Sequence, residues 1–411
     1  MPSGRGLLVC ACGAGLWILA RLLGSPTVHI VAVGVLLLPL VTALLGRRAR
    51  QRLDIRRHLS QIRVEPGQRV EVALDVTNPS AVSTSLILLE DRVPPALGAA
   101  ARLVLPGMSG RSTQRVDYSF VPTVRGHYRL GPITVDLSDP FALTRRRFEI
   151  ATIDELIVTP QIEDLSGQAG AAFGQGAGAS RTRNLMRTGE EFYTMRAYQT
   201  GDDLRRIHWR STARRGELMI RQDESTRRGQ AVLLLDTRQA IVGRSHGACF
   251  ERCVSAAASL GALLCRSGFG VRFATAGSPL VAVNEELLLD ALAQVREDQN
   301  RSMQSALSRL RTAAASDTTL TLVTAPPTPN ELPSLLRAGA GFGPRLAVLV
   351  YPSEPASLPP ERQTQLEGRA SQARLAFARS GWDVVVLSPS TRLQDAWTTT
   401  RERLSAAGSS R

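Results

Sequence analysis

The residue types best suited to chemistry are concentrated in one segment, residues 196–217 of a 411-residue chain. Arginine, carboxylate and aromatic side chains alternate closely there, and the candidate functional residues are Arg196, Tyr198, Gly201, Asp202, Asp203, Arg205, Arg206, His208, Trp209, Arg214 and Glu217. Guanidinium groups pair bidentately with carboxylates and stack on aromatic rings. Such a segment can form an internal ion-pair network or bind a partner. We call residues 187–230 the signature block.

Several interpretations of the signature block stay open at the level of sequence. As a structural network, its paired charges would fix how one domain docks on another. As an acid–base site, Asp202 or Asp203 would work with His208, although neither a nucleophile nor a metal-ligand set accompanies them. Arginines among aromatic residues also suit nucleic-acid binding, but seven acidic residues between positions 190 and 224 weaken the positive field. We therefore predict no nucleic-acid partner.

The composition restricts the enzyme classes that the chain can belong to. It has 50 basic and 36 acidic residues, a net charge of +14, and every basic residue is arginine. The absence of lysine excludes a P-loop phosphate lysine, a Schiff base and the ATP-pairing lysine of a kinase. Arginine does not lose its proton at working pH and so cannot serve as a general base. We predict a binding protein that is not an enzyme and needs no cofactor.

The N-terminal region has the length and composition of a transmembrane hairpin, residues 1–46. Two apolar stretches, Gly6–Leu23 and Val28–Leu45, each approach the ~20 residues that cross a hydrocarbon core, and residues 24–27 form a short turn between them. A basic juxtamembrane segment, residues 47–61, follows. Between positions 47 and 57 it holds six arginines and one aspartate, an excess that marks the cytoplasmic side of a membrane. We expect a two-span protein of the cell membrane with its soluble domains in the cytoplasm.

The soluble part changes its hydrophobic period along the chain. Apolar residues alternate with polar ones in residues 62–160, for example at Val70, Val72 and Leu74, which predicts an immunoglobulin-like β-sandwich. A Gly/Ala-rich linker, residues 161–186, follows. From residue 231 to 411, strand and helix patterns alternate, which predicts a parallel sheet with helices on both faces. The fold class is thus α+β and multidomain, with an α/β domain at its C-terminal end.

The signature block carries a specific resemblance. Residues 196–209 read R-x-Y-x-x-G-D-x-x-R-x-I-x-W, residues 213–218 read A-R-R-G-E-L, and the earlier runs at 125–132 and 139–141 fit the same pattern. The sequence resembles the bacterial domain-of-unknown-function 58 family over almost the whole chain. The resemblance implies a membrane-anchored protein ending in a von Willebrand factor type A-like domain with a Rossmann-like sheet. It also implies a MoxR-type AAA+ ATPase as partner, and a transglutaminase-like membrane protein as a possible second one.

A von Willebrand type A domain binds Mg²⁺ through D-x-S-x-S at the end of its first strand, with a distant threonine and a later aspartate. The matching segment here is Asp236-Thr237-Arg238-Gln239-Ala240, in which only the aspartate is kept. Thr324 stands at the later strand end, followed by alanine. We therefore treat Asp236, Arg238 and Thr324 as a degenerate metal site and predict no bound metal, because Arg238 places its own charge near the position of the ion.

The five cysteines form no regular framework, and His246, Cys249 and Cys253 lack a fourth ligand. Cys249 and Cys253 have the spacing of one helix face, which predicts core packing.

These observations lead to one functional hypothesis and one alternative. The first is a membrane-tethered protein-binding adaptor that works with a MoxR-type AAA+ ATPase in envelope-associated protein assembly or maturation, with the lipid bilayer as its other contact. The alternative is a metal-assisted enzyme that uses Asp202, Asp203, His208 and Asp236. Convergence of those four side chains would favour the enzyme.

Overall fold

The computed structural model describes residues 4–48, 53–81, 83–84, 86–138, 145–165, 193–198, 207–223, 229–299 and 302–397. The chain forms two compact units, Met1–Pro160 and Gln161–Arg411. The first unit ends where the predicted β-sandwich ends. In the predicted linker, residues 166–186 lie outside the described ranges, as do Arg50 and Arg52 of the juxtamembrane segment and the 139–141 run.

Two apolar helices open the first unit, α1 (Gly4–Leu23) and α2 (Pro26–Arg48). The buried residues of α1 are Gly6, Gly13 and Ala20, seven positions apart, so they share one side of the helix. A Cβ atom on Gly13 would lie 2.9 Å from Cγ of Leu36 in α2, which shows how closely the two backbones approach. Small residues at such an interface permit helix packing without polar groups.

Two helices among the described residues are long and apolar enough to cross a membrane, Gly4–Leu23 and Ala248–Arg266. The apolar window of the second is 78% buried inside the protein, which is the environment of a core helix. Within α2, the described apolar stretch Pro26–Val41 is shorter. The predicted membrane link therefore depends on the N-terminal helix pair.

The remainder of the first unit is β-structure. Its strands are β1 (Asp54–Leu59), β2 (Arg63–Val64), β3 (Val70–Thr77), β4 (Ile87–Asp91), β5 (Ala101–Leu105), β6 (Thr113–Phe120), β7 (Gly126–Leu130), β8 (Ile133–Ser138), β9 (Arg145–Ile150) and β10 (Asp154–Val158). They form three sheets, in the orders β1-β3-β6, β5-β4-β8-β9 and β2-β10-β7, antiparallel except for β2 with β10. One apolar cluster joins the sheets, with Leu74, Leu89, Val135 and Leu156 among its members. The alternating pattern thus predicted the β character of this unit correctly.

Arg57 differs from its predicted position. The sequence places it in the juxtamembrane segment, but β1 begins at Asp54 and the Arg57 side chain is fully buried. Its Nε and Nη2 donate to the two carboxylate oxygens of Asp91 at 3.0 and 2.6 Å, and Nη1 donates to Asp154 at 2.5 Å. The Tyr118 hydroxyl also donates to Asp91, at 2.6 Å. A charge run beside a membrane span thus contains one core residue.

Burial and bonding shift two pKa values in this network. Burial, followed by the hydrogen bond to Asp91, raises the pKa of the Tyr118 hydroxyl far above its usual range. Burial lowers the pKa of the Arg57 guanidinium, but its bonds and charge interactions with Asp91 and Asp154 outweigh burial and the net pKa is raised. Arg57 is therefore charged at every pH at which the protein is folded.

The second unit contains a six-stranded sheet with the order β15-β14-β13-β16-β17-β18. Its strands are β13 (Gln230–Leu235), β14 (Gly270–Thr275), β15 (Val281–Val283), β16 (Thr318–Thr324), β17 (Arg345–Val350) and β18 (Asp383–Leu387). Only the edge strand β15 is antiparallel to its neighbour. The helices of this unit are α3 (Trp209–Arg215), α4 (Gln239–Val242), α5 (Ala248–Arg266), α6 (Glu285–Gln294), α7 (Gln304–Ala313), α8 (Leu332–Gly339) and α9 (Pro360–Arg379).

Helices cover both faces of this sheet, as the alternating pattern predicts. Leu233 and Leu235 of β13 belong to an apolar cluster with α5 and α6, whereas Val232 and Leu234 belong to a cluster with α7, α8 and α9. Because successive strand residues point to opposite faces, β13 is buried on both sides. The Asn284 side chain caps α6 by accepting from Leu287 N at 2.8 Å.

Residues 161–165 were predicted to begin a linker, but they pack against α5. The Ser255 hydroxyl donates to the carbonyl oxygen of Gln161 at 2.7 Å, and Arg252 pairs with Glu163 at 2.5 Å. Leu165 is buried in the core of the second unit. The described part of this segment therefore belongs to the α/β domain.

Candidate functional site

Asp236 lies at the carboxyl edge of the central sheet, immediately after β13. The register pairs Leu235 with Val323, and Asp236 N donates to the carbonyl oxygen of Val323 at 2.9 Å. Thr324, the last residue of β16, is therefore the neighbour of Asp236, and its hydroxyl donates to Asp236 Oδ2 at 2.9 Å. Parallel strands bring their carboxyl ends to one edge, which is where α/β proteins place their ligand sites.

The Arg238 guanidinium lies directly on the Asp236 carboxylate. Its Nε donates to Oδ1 at 3.0 Å and its Nη2 to Oδ2 at 2.8 Å, which is a bidentate pair. The backbone N–H of Arg238 donates to the same Oδ1 at 3.1 Å. Asp236 is wholly buried and the Arg238 side chain is 10% exposed. The structure thus brings together the three residues predicted to form the degenerate site.

Glu331 is a fourth member of this site, and sequence reasoning missed it. Arg238 Nη1 donates to Glu331 Oε1, so one guanidinium bridges two carboxylates that are 95 positions apart in the chain. The other carboxylate oxygen of Glu331 accepts from Thr328 Oγ1 at 2.8 Å and from Thr328 N at 3.2 Å. The sequence signal was present as Thr328-x-x-Glu331, a capping-box spacing ahead of α8. Its pairing with Arg238 is a long-range contact that spacing does not encode. We call Asp236, Arg238, Thr324 and Glu331 the arginine clamp.

The pKa values of the clamp favour its charged form. Burial lowers the pKa of Arg238, but its hydrogen bonds and charge interactions with Asp236, and then with Glu331, outweigh burial, so the net pKa is raised. Burial raises the pKa of Glu331, but the hydrogen bonds from Arg238 and Thr328 outweigh it, so the net pKa is lowered. Both groups are ionised at neutral pH, so Arg238 and Glu331 form a charged pair.

The described part of the signature block contains a pair of antiparallel strands and a short helix before the second strand. Strands β11 (Tyr193–Ala197) and β12 (Met219–Asp223) pair antiparallel, with Arg196 opposite Ile220. Tyr198 N donates to the carbonyl oxygen of Leu218 at 2.8 Å. The His208 ring caps α3 by accepting from Ser211 N at 3.3 Å. The cap and the αL residue Gly216 at the other end fix this helix at seven residues.

Helix α3 presents its side chains to solvent, and none of its residues is buried. Trp209 is 68% exposed, and Arg210, Arg214 and Arg215 are exposed as well. We call these four residues the α3 surface. Glu217 and Leu218, just beyond the helix, are also exposed. A large aromatic residue in solvent beside three cations is unusual for a structural element and is typical of a binding surface.

Several predicted site residues lie outside the described ranges, namely Gly201, Asp202, Asp203, Arg205 and Arg206. The enzyme alternative required Asp202 and Asp203 to meet His208 and Asp236. Of these four, the structure describes His208, whose Nδ1 lies 3.0 Å from the Ser211 hydroxyl, and Asp236, which pairs with Arg238. His208 and Asp236 each have a local partner. The enzyme alternative, which needs all four side chains to converge, stays a prediction.

Cys249 and Cys253 are buried in the core formed by α5, as their spacing predicts. The hydrogen bond with Cys249, followed by burial, raises the pKa of the Cys253 thiol well above its usual value. The ring of His246 instead lies 3.5 Å from Glu251. Within the described residues, no group of three or more His, Cys, Asp or Glu side chains is arranged to hold a metal ion.

Comparison with known proteins finds one family model that matches part of the second unit. Residues 194–381 match the model of a family described as protein of unknown function DUF58, which confirms the resemblance carried by the signature block. An uncharacterised Bacillus subtilis protein, YeaD, is 25% identical over 228 residues, 54% of this chain. The match spans about half of that relative, 55% of its length.

Two solved domains have distant similarity to part of the chain. The CARDB domain of a Pyrococcus furiosus protein is 13% identical, covering 26% of this chain and 88% of that domain with a TM-score of 0.20. The GAE domain of the Saccharomyces cerevisiae protein GGA2p is 14% identical, covering 25% of this chain and 88% of that domain with a TM-score of 0.19.

Proposed function

We propose that this protein with a DUF58 region is a membrane-tethered adaptor that binds a MoxR-type AAA+ ATPase in envelope-associated protein assembly or maturation. In this proposal the N-terminal helix pair anchors the chain in the membrane. The β-structure that follows it in the first unit is an immunoglobulin-like domain, and the second unit is a von Willebrand type A-like domain that presents the binding surface. The chain acts by binding and carries out no reaction of its own.

The α3 surface is the observation that carries the proposal. Tryptophan and arginine are the residues most enriched among those that dominate binding energies, because each combines a large contact area with a polar group. Trp209 is 68% exposed, although burying an indole ring is strongly favourable. Burial of the Trp209 ring against a partner would gain this favourable free energy of burial.

The charge of the α3 surface indicates the chemistry of the partner. Helix α3 holds three arginines and no acidic residue, and Arg214 and Arg215 lie in its last turn, where the helix dipole favours cations. A partner segment that carries carboxylates beside an apolar pocket would satisfy both the guanidinium groups and the indole ring. We assign this role to the ATPase, the partner that the family resemblance implies, and keep a transglutaminase-like membrane protein as a second partner.

The location of the ATPase requires the second unit to face the cytoplasm. Arginines lie in the last turn of α2, at positions 47 and 48, and just beyond it in the sequence, at positions 50 and 52, an excess that retains this end of a span on the cytoplasmic side. Two spans then return the chain to the side from which it started. Arg57 lies in the core of the first unit and does not contribute to this excess. The remaining arginines still give the segment a net positive charge.

Co-purification of the detergent-extracted full chain with the ATPase tests the proposal. The variants Trp209→Ala and Arg214→Glu remove the aromatic ring and reverse one charge of the α3 surface. Matched controls lie on α9, where Leu375 is 50% exposed and Arg362 is exposed, so Leu375→Ala and Arg362→Glu make equivalent changes elsewhere. We expect each α3 variant to reduce recovery of the ATPase about tenfold or more, in line with residues worth about 2 kcal/mol. A wild-type protein that retains no AAA+ ATPase, or controls that lose as much as the α3 variants, would refute the proposal.

A further inference from the structure

The arginine clamp occupies the edge at which a von Willebrand type A domain binds Mg²⁺, and its residues do not fit the ion. Mg²⁺ requires about six oxygen ligands in near-ideal octahedral geometry. Asp236 Oδ1 already accepts from Arg238 Nε and Arg238 N at 3.0 and 3.1 Å. Its Oδ2 accepts from Arg238 Nη2 and Thr324 Oγ1 at 2.8 and 2.9 Å. Both oxygens of the one carboxylate kept from the motif are therefore engaged by donors.

Charge also opposes an ion at this edge. The Arg238 guanidinium is held beside Asp236 and Glu331 in a buried environment, where two neighbouring cations repel each other strongly. The guanidinium does not lose its proton, so it cannot leave the site by neutralisation. A divalent ion would have to displace the whole side chain from two carboxylates.

The clamp makes the connection that an ion would otherwise make. Asp236 belongs to the loop after β13, and Glu331 stands at the start of α8, beyond β16. Arg238 joins the two through donors on different nitrogens. Two loops at the carboxyl edge are thus held together by a charge that is part of the chain.

We infer that Arg238 is a resident cation that replaces a divalent metal ion at the carboxyl edge of the sheet and holds this edge closed without metal. Removal of the guanidinium would leave Asp236, Thr324 and Glu331 as an oxygen-rich set with uncompensated negative charge. Divalent cations should then bind where none binds in the natural protein. The edge of the wild-type domain is accordingly insensitive to metal supply and to chelators.

Titration of the purified full chain with Mg²⁺ and Mn²⁺, read by calorimetry and by the thermal midpoint of unfolding, tests this inference. We expect no saturable binding to the wild type and a midpoint that moves by less than about 1 °C. Arg238→Ser should lower the midpoint and should recover about 3–8 °C with saturating Mn²⁺. Arg238→Lys retains a cation and should stay unresponsive.

Arg252→Ser is the matched control, since Arg252 forms a similarly enclosed pair with Glu163 in the same unit, with side chains 11% and 13% exposed. It should lower the midpoint without any recovery by divalent ions. Stoichiometric binding of Mg²⁺ or Mn²⁺ to the wild type that is lost in Asp236→Ala would overturn the inference, and this measurement does not require a stable Arg238 variant. A folded Arg238→Ser protein that ignores both ions would overturn it as well. The site that this titration probes lies in the second unit, and the measurement needs no partner protein.

Discussion

At the residue scale, each unit contains a buried arginine that bridges two carboxylates. Arg57 joins Asp91 and Asp154 in the first unit, and Arg238 joins Asp236 and Glu331 in the second. Both arginines were visible in the sequence, but one was assigned to membrane topology and the other to a lost metal site. Asp236 is two positions from Arg238, but the other three partners, Asp91, Asp154 and Glu331, are 34, 97 and 93 positions from their arginines, and sequence spacing carries no information on such contacts.

Replacement of Arg57 should destabilise the first unit strongly. Arg57→Met leaves the Asp91 carboxylate buried without its partner, and loss of one member of a buried pair costs about 3–5 kcal/mol. Hydrogen exchange of peptides from β3 and β4 should accelerate accordingly. Arg56→Met is the control, because Arg56 is the neighbouring residue, its side chain is 75% exposed, and such changes cost about 0.5 kcal/mol or less. Equal exchange in the two variants would show that the Arg57 network contributes nothing to stability.

Asp383 provides a test of pH dependence. Burial raises its pKa above the usual 3.8, so the folded state disfavours the ionised carboxyl and the group lowers stability at neutral pH. Because the folded pKa lies above the unfolded one, this penalty is absent below the unfolded pKa and grows as pH rises through the folded pKa.

Asp383→Asn should therefore raise the thermal midpoint at pH 7, and the gain over the wild type should shrink toward zero as pH falls to about 4. Tryptophan fluorescence can follow the transition, since Trp382 and Trp397 are buried in this unit. Asp317 is exposed, so Asp317→Asn should have little effect at either pH. A gain that is constant with pH would show that burial of the charge is not its cause.

At the element scale, hydrophobic periodicity predicted strands and helices better than it predicted the contacts of single residues. The alternating residues Val70, Val72 and Leu74 lie in β3, and the alternation of strand and helix patterns after residue 231 corresponds to the parallel strands and the helices of the second unit. These elements bury one or both faces in a regular way, and burial leaves a regular trace in the sequence. Glu331 of the clamp and the Arg57 network were missed because they depend on contacts between elements that are distant in the sequence.

The N-terminal helix pair gives a test at this scale. Gly13→Leu should prevent the close approach of α1 to Leu36 and should lower the thermal midpoint of the detergent-solubilised chain, with an overpacking cost of about 1–3 kcal/mol. Gly15 lies two residues further along the same helix, and a Cβ atom there meets nothing within 4 Å. Gly15→Leu adds the same side chain and should leave the midpoint unchanged. An equal decrease in both variants would mean that the packing of the pair does not depend on Gly13.

At the scale of the whole molecule, the proposed adaptor combines a membrane anchor, a β-rich part and an α/β unit, and the proposal requires the soluble parts to lie in the cytoplasm. A tag at the C-terminus should resist protease added outside intact cells and should be digested once the membrane is opened, because the two proposed spans would leave the soluble parts inside. Digestion of the tag in intact cells would place the second unit on the outer side of the membrane. A cytoplasmic ATPase could not then bind it, and the proposal would be refuted.

The proposed function requires the α3 surface to contact an AAA+ ATPase. A photo-crosslinking amino acid introduced at position 209 in living cells tests this contact directly, with the same substitution at position 375 as the control for an exposed apolar site. We expect a crosslinked adduct between the chain and the ATPase from position 209 and none from position 375. An adduct within the chain itself, or no ATPase adduct from position 209, would contradict it.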